Sequence, residues 1–286
     1  MRGAPATMTV LRPRSAAEAL RLYASNPEAI PLAGGTDFMV GWNAGQANGL
    51  TILDLAAARS WTHIEATKAA VTIGALATHA EIQRDKHVRR HLPLLVAACG
   101  TVGGLQIQNR GTLGGNIANA SPAGDTFPPL AVYEATVEIA SARGRRRVAF
   151  GSIFAGVKKT VLGPGELIEA IHVPIPRTPS RQLWRKVGTR AAQAISKTMV
   201  AGLLWLGRDG TVTELRFALG SMAPTVRRLS KAEAFVEGKR LSREVIHEAC
   251  ALMKQDVAPI DDMRSTAEYR LAVSQNLLAG FLTRQT

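Results

Sequence analysis

The sequence predicts an α+β protein of two domains, and three observations carry that reading. Short apolar segments alternate with amphipathic ones through residues 8–60, the mark of a β/α unit and not of a sandwich. Pro174, Pro176 and Pro179 then interrupt the chain, and prolines this close cannot continue a strand ladder. Beyond them a run of strand-like segments gives way to helical ones, as in a small sheet-plus-helix domain. The expected division is 8–176, in two parts (8–60 and 61–176), followed by 180–286.

The first strand is expected over 8–11. Ser15 and Glu18 form a capping box, with Ser15 capping the next helix and Glu18 reaching back. That helix carries Leu20 and Tyr23 and stops at Ser25-Asn26-Pro27. Strand returns over 29–32, then come a glycine turn, a short helix and a strand over 51–55. Residues 71–75 read as strand, Thr78 as the cap of a helix, and 92–99 as a second helix. A helix is expected over 125–134. Residues 136–140 alternate as a strand, 145–150 return beside it, and 167–173 form another strand. Past the prolines, 182–188, 198–206 and 212–219 read as strands, with Arg208-Asp209-Gly210 as a hairpin turn. Ser230 and Glu233 predict a second capping box, with Gly238 as the stop. Ser242 precedes the amphipathic face of Val245, Ile246, Ala249, Leu252 and Met253. Residues 265–268 cap a last helix, where Tyr269, Val273, Leu277 and Phe281 recur as a core stripe.

Composition narrows the function classes. The 286 residues are enough for two packed domains. Hydrophobic residues make up 46%, yet no apolar run approaches the ~20 residues of a membrane span. Residues 1–7 lack the apolar core of a secretory signal and read as an extension before the first strand, so a cytoplasmic protein is expected. The net charge of +13 raises the question of nucleic acid. Its densest patch, Arg143 and Arg145–Arg147, followed by Arg227-Arg228, carries no interleaved aromatics, so it reads as a solvated turn or a docking patch for an acidic partner. Cys99 and Cys250 cannot supply the four ligands of an iron–sulfur cluster or a closed zinc site. The six histidines (His63, His79, His87, His91, His172 and His247) show no metal-binding spacing and read as structural or surface residues. No nucleophile–base pair stands out, so no catalytic residue and no metal site is assigned.

Two glycine-rich stretches carry the chemistry. Gly100, Gly103, Gly104, Gly111, Gly114 and Gly115 fall within a short span broken by small and amide side chains. Such a stretch needs unusual dihedrals or close approach by another group. Residues 111–116 lead into a short helix. A Gly-Gly turn ahead of a helix start exposes free N–H groups and a positive dipole end, which suits a phosphate. Thr112 and Asn116 add groups able to bond phosphate oxygens or a ribose, and Asp125 adds an acceptor for a sugar hydroxyl or base amine. The earlier stretch, Pro31 to Val40, repeats the arrangement of strand, Gly34-Gly35 turn and helix. Neither stretch is a G-x-G-x-x-G or P-loop pattern. Two such loops point to one ligand with two phosphates, gripped from two sides.

Ala33-Gly34-Gly35-Thr36-Asp37 and the run from Gln108 to Asp125 resemble the two FAD motifs of the molybdenum hydroxylase flavoproteins, the medium subunits of the xanthine dehydrogenase and carbon monoxide dehydrogenase family. The likeness runs from Met8 onward. Residues 186–196 are similar to the family's flavin-side strand and loop, and 262–270 to its recurrent Asp-x-Arg-Ser-x-x-x-Tyr-Arg segment. One departure is Ile107-Gln108-Asn109 where the family has Ile-Arg-Asn, with Arg110 keeping a cation adjacent. This change is expected to affect loop packing or subunit contact more than FAD.

The resemblance implies a two-part FAD-binding domain of the xanthine dehydrogenase/vanillyl-alcohol-oxidase-like type, then a small α+β domain. It implies FAD in this chain and no substrate oxidation. A large partner would hold the molybdenum cofactor, and a small one two two-iron two-sulfur clusters. Electrons would pass from those clusters to FAD and on to NAD or another acceptor, in an assembly such as a dimer of heterotrimers. The alternative is a self-contained FAD-dependent oxidoreductase of the same superfamily. The implied cofactor contacts are Pro31, Leu32, Ala33, Gly34, Gly35, Thr36, Asp37 and Phe38 in the first loop. In the second they are Thr112, Leu113, Gly114, Gly115 and Asn116, with Asp125 beyond. Val102, Ile168 and Lys186 correspond to further positions around the flavin. Gly100 to Gly104 echoes the second motif, and the later turn is favoured because Asn116 and Asp125 follow it.

Overall fold

The computed structural model describes residues 7–46 and 49–283; the N-terminal extension read from the sequence lies almost wholly outside them. The first part is β1 (Thr9–Leu11), α1 (Ala16–Ser25), β2 (Ile30–Leu32), α2 (Phe38–Asn43) and β3 (Thr51–Asp54). Its strands pair in parallel in the order β1-β3-β2. The α1 helix packs Ala19 and Leu20 onto Leu53, Leu55 and Trp61, and this small core continues into Ala140 and Leu167 of the next sheet. Ser15 caps α1 as expected, but Glu18 does not complete the box. Its carboxylate instead accepts from Arg14, through the backbone N–H and the guanidinium.

The second part opens with β4 (Ile64–Ala66) and β5 (Ala70–Gly74). Six short helices follow: α3 (His79–Arg84), α4 (Lys86–His91), α5 (Pro93–Cys99), α6 (Leu105–Gln108), α7 (Leu113–Asn119) and α8 (Phe127–Val132). It closes with β6 (Thr136–Ser141), β7 (Gly144–Ala149), β8 (Phe154–Gly156), β9 (Lys159–Thr160) and β10 (Leu167–Pro174). An antiparallel sheet in the order β4-β5-β10-β6-β7 backs the helices. The capping box at Thr78 is complete, since Thr78 accepts from Glu81 N–H and Glu81 accepts from Thr78 N–H.

The Arg145–Arg147 patch lies within β7, not in a turn, and it is neutralised within its own sheet. Arg145 pairs with Glu169 at 2.5 Å, Arg146 with Glu166 at 2.7 Å and Arg147 with Glu138 at 2.7 Å. The charge counted in the sequence is therefore not a free cationic surface there.

After the proline segment come β11 (Arg181–Val187), β12 (Thr198–Leu206), β13 (Val212–Gly220) and β14 (Arg227–Arg228), an antiparallel sheet in chain order. Helices α9 (Ser230–Val236), α10 (Arg243–Leu252) and α11 (Ala267–Thr283) cover one face. The central strand β12 is buried along both faces. Val200 and Leu204 point into the core beneath α9, α10 and α11, whereas Ala201, Leu203 and Trp205 join the core of the second part. The hydrophobic interior thus runs unbroken across Pro174–Pro179.

One capping box and one helix face are corrected, while the cap of α11 falls within the expected 265–268. Ser230 is inside α9, and Glu233 reaches the N–H of Phe217 and the guanidinium of Arg228 instead of closing a box. Thr266 caps α11 by accepting from Tyr269 N–H. The buried face of α11 is Arg270, Ser274, Leu278, Phe281 and Leu282, so of the anticipated stripe only Phe281 is buried, and Tyr269 is 44% exposed. An apolar count misses this face because two of its five residues, Arg270 and Ser274, are polar. Ser274 hydrogen-bonds Thr198 at 2.9 Å. Arg270, 2% exposed, donates to the carbonyls of Lys197 and Ser221 and to Asp262 Oδ1 at 2.7 Å.

Replacing Arg270 with Met keeps the volume but removes the buried cation from Asp262 and leaves the Lys197 and Ser221 carbonyls without this donor. Urea unfolding is expected to show a loss of about 3 kcal/mol; a loss below about 0.5 kcal/mol would show that the buried network is not what fixes α11.

Candidate functional site

The two glycine loops meet back to back. The first leaves β2 after Leu32 and turns at Gly34-Gly35. A Cβ on Gly34 would stand 1.8 Å from the carbonyl oxygen of Arg110, so only glycine lets this backbone lie on the second loop. Thr36 Oγ1 lies against Gly111, 3.4 Å from where a Cβ would be. The backbone N–H groups from Ala33 through Asp37 donate no hydrogen bond to any described residue. Fully buried amides are nearly always paired; these stand on half-buried and exposed backbone, a row of donors open to water or to an oxygen-rich group. Asp37 closes the loop on its exposed side, accepting from Asn119 Nδ2 at 3.1 Å with Lys158 Nζ at 3.5 Å. Phe38 begins α2.

The second loop is built differently from the sequence expectation. Gly114 and Gly115 are inside the first turn of α7, not ahead of it. Their N–H groups are already used: Gly114 donates to Ala75 O at 2.8 Å and Gly115 to the capping hydroxyl of Thr112 at 3.1 Å. A Cβ on Gly114 would lie 2.6 Å from that of Ala75, so this glycine serves close packing of α7 on the end of β5. Leu113, buried, donates to Ala77 O. The free donor on this side belongs to Asn116, whose Oδ1 accepts from Thr126 Oγ1 at 2.7 Å while its Nδ2 makes no bond to a described residue.

A second cluster joins the two domains. Asp125 is 7% exposed and receives Lys186 Nζ from β11 at 2.6 Å. The same ammonium donates to Thr101 O at 2.9 Å, beside Val102 in the turn after α5. Asp125 Oδ1 is buried without a partner, a group that costs about 1–3 kcal/mol unless something meets it. Burial pushes the Asp125 carboxyl up to about 6, against the pull of Lys186. Burial and the nearby Asp125 carboxylate both push the Cys99 thiol upward, so Cys99 is an inert core thiol. Ile168 stands on β10, 7% exposed, and packs in the main core. The loop after β11 also reaches this region: Gln193, in a left-handed conformation, donates from its backbone to Gly103 O at 3.2 Å.

The residues singled out from sequence thus form two neighbouring groups, 31–38 with 112–116, and Val102 with Asp125 and Lys186, while Ile168 is not brought to either and packs in the core. Pattern reading missed Arg110, Thr101, Thr126, Asn119 and Lys158, which hold the first group and the second in place through backbone atoms or single hydrogen bonds. The departure at Gln108 is resolved as packing: its buried amide donates to Gly100 O and accepts from Gln83 Nε2, both at 3.1 Å.

Comparison with known proteins identifies the family and the fold. Residues 6–176 match the family described as FAD binding domain in molybdopterin dehydrogenase, and residues 184–285 match the CO dehydrogenase flavoprotein C-terminal domain. The chain is 34% identical to a putative xanthine dehydrogenase FAD-binding subunit of Escherichia coli strain K12, over 93% of this chain and 91% of the relative. It is 28% identical to the carbon monoxide dehydrogenase medium chain of Afipia carboxidovorans, over 96% and 95%. Among solved structures, a chain of reconstituted CO dehydrogenase from Oligotropha carboxidovorans superposes with a TM-score of 0.92 at 26% identity, covering 99% of this chain and 98% of that one.

The raised Asp125 pKa gives a signed prediction. Between its ordinary 3.8 and about 6, the folded chain holds a proton that the unfolded chain has released. Asp125 therefore lowers stability as pH rises through that window, by up to about 3 kcal/mol. Urea unfolding of the parent and of Asp125→Asn should show the parent losing stability relative to the variant from pH 4 to 6. Parallel curves would refute the buried, under-satisfied carboxyl.

Proposed function

Since the chain belongs to the FAD-binding medium subunits of the molybdopterin-dependent dehydrogenases, we propose that it holds FAD across the junction of its two glycine loops and serves as the electron-transfer subunit of a heteromeric molybdenum hydroxylase. The observation that carries this is the row of unpaired amides from Ala33 to Asp37, packed against the second loop through Gly34. The donor set fits the cofactor. The amides of Gly34, Gly35 and Thr36 suit pyrophosphate oxygens, Asn116 Nδ2 suits a further oxygen, and the bare Oδ1 of Asp125 suits a donor on the same molecule. Lys186 orients that carboxylate and brings the C-terminal sheet to the site.

Bound FAD supplies the ability to take up electrons one at a time and release them singly or in pairs. The chain's own residues bind and orient it. In this reading electrons come from iron–sulfur clusters on a small partner and leave to NAD or another acceptor, while a large partner oxidises substrate at its molybdenum centre. Support for partners comes from the rim: Met39, Val40, Leu105, Ile107 and Ile195 are all well exposed on segments that border the loops. Large apolar side chains gathered around a site mark an interaction surface.

The purified chain is expected to be yellow and to release FAD on denaturation. Gly34→Val, which drives a side chain into the Arg110 carbonyl, should cut FAD occupancy at least about tenfold. A colourless chain that takes up no FAD, even when co-produced with its partners, would overturn the assignment.

A further inference from the structure

His79 opens α3, and its backbone N–H donates to Gly111 O at 3.0 Å, fastening that helix to the second glycine loop. Its side chain is 2% exposed. Ring carbon Cδ2 lies 3.2 Å from where a Cβ on Gly111 would stand, and Thr36 Oγ1 lies 3.4 Å from the same point. In imidazole, Cδ2 and Nε2 share one edge and Nδ1 occupies the other. Nε2 is therefore on the edge turned toward the meeting point of the loops, and it bonds to no described residue. Nδ1 is occluded and also has no partner.

An orphaned buried N–H is rarer than an orphaned acceptor, so the ring carries its proton on Nε2. Burial depresses the imidazole to about 4, which keeps it neutral in ordinary buffers. The sequence spacing made this a structural histidine, yet a ring used only for packing has no need of a buried, unpartnered Nδ1 whose desolvation costs about 1–3 kcal/mol. A neutral N–H beside the open amides of the first loop is a donor aimed where an oxygen-rich ligand would lie.

We propose that His79 is a further member of the cofactor site, donating from Nε2 to an oxygen of the pyrophosphate–ribose part of FAD. This rests on the FAD reading above and extends it to a residue outside both glycine motifs.

The test is titration of the full chain with FAD, followed by quenching of flavin fluorescence, for the parent and for His79→Phe, His79→Asn and His79→Gln. A glutamine amide nitrogen reaches the position of Nε2, whereas an asparagine nitrogen reaches only that of Nδ1. Phe and Asn should weaken FAD about tenfold, and Gln should stay within about threefold of the parent. Competition by ADP, which keeps the pyrophosphate and ribose, should weaken in parallel. If Phe binds as tightly as the parent, or Gln loses as much as Phe, the donor role is wrong while the FAD site stands. A parent chain that binds no FAD overturns both.

Discussion

Everything at the site depends on one place where main chain lies directly on main chain. With no Cβ at Gly34, the first loop settles onto the carbonyl of Arg110, and two segments some seventy-five residues apart (34 to 110) become one surface. That contact sets which amides stay unpaired. The second loop spends its N–H groups on its own helix and on the end of β5, so it acts as the floor, while the first loop keeps its donors open. The division of labour follows from where each helix begins: α2 starts after the glycines, α7 before them.

The other constraint is the shared interior. Because β12 contributes alternate side chains to two cores, the C-terminal sheet is not a tethered appendage but a wall of the cofactor domain. Lys186 is the polar counterpart of that packing, a cation from one sheet inserted among the Thr101 carbonyl and the Asp125 carboxylate of the other part. Geometry around the site is therefore held from both sides of the proline segment.

Much of this was legible in the residues. Strand periods located β5, β6, β10, β12 and β13 to within a residue or two, because buried strands carry a strong apolar signal. Thr78, Ser242 and the Gly34-Gly35 turn were read correctly for the same local reasons. What escaped was decided by tertiary partners. Glu233 fits a capping box by spacing, but Arg228 and the Phe217 amide bind it more closely than its own helix end. Arg270 hides inside a helix face that counting apolar residues shifts by one position. The Gly114-Gly115 pair has the composition of an open phosphate turn, and only the Ala75 carbonyl and the capping hydroxyl of Thr112 show that its amides are engaged. His79 looked inert because a single histidine carries no spacing to interpret.

The arginine-rich strand acquires a meaning that its charge alone did not suggest. β7 is one of the two edge strands of the five-stranded sheet, pairing among the described residues with β6 alone. Such an edge offers free backbone groups to any passing strand, and bulky charge along it is how soluble sheets refuse that pairing. Arg145, Arg146 and Arg147 each stay substantially exposed while clasping a glutamate of the strands and turns behind them. The run works as a hem: it finishes the border of the sheet and keeps a passing strand from zippering onto it edge to edge.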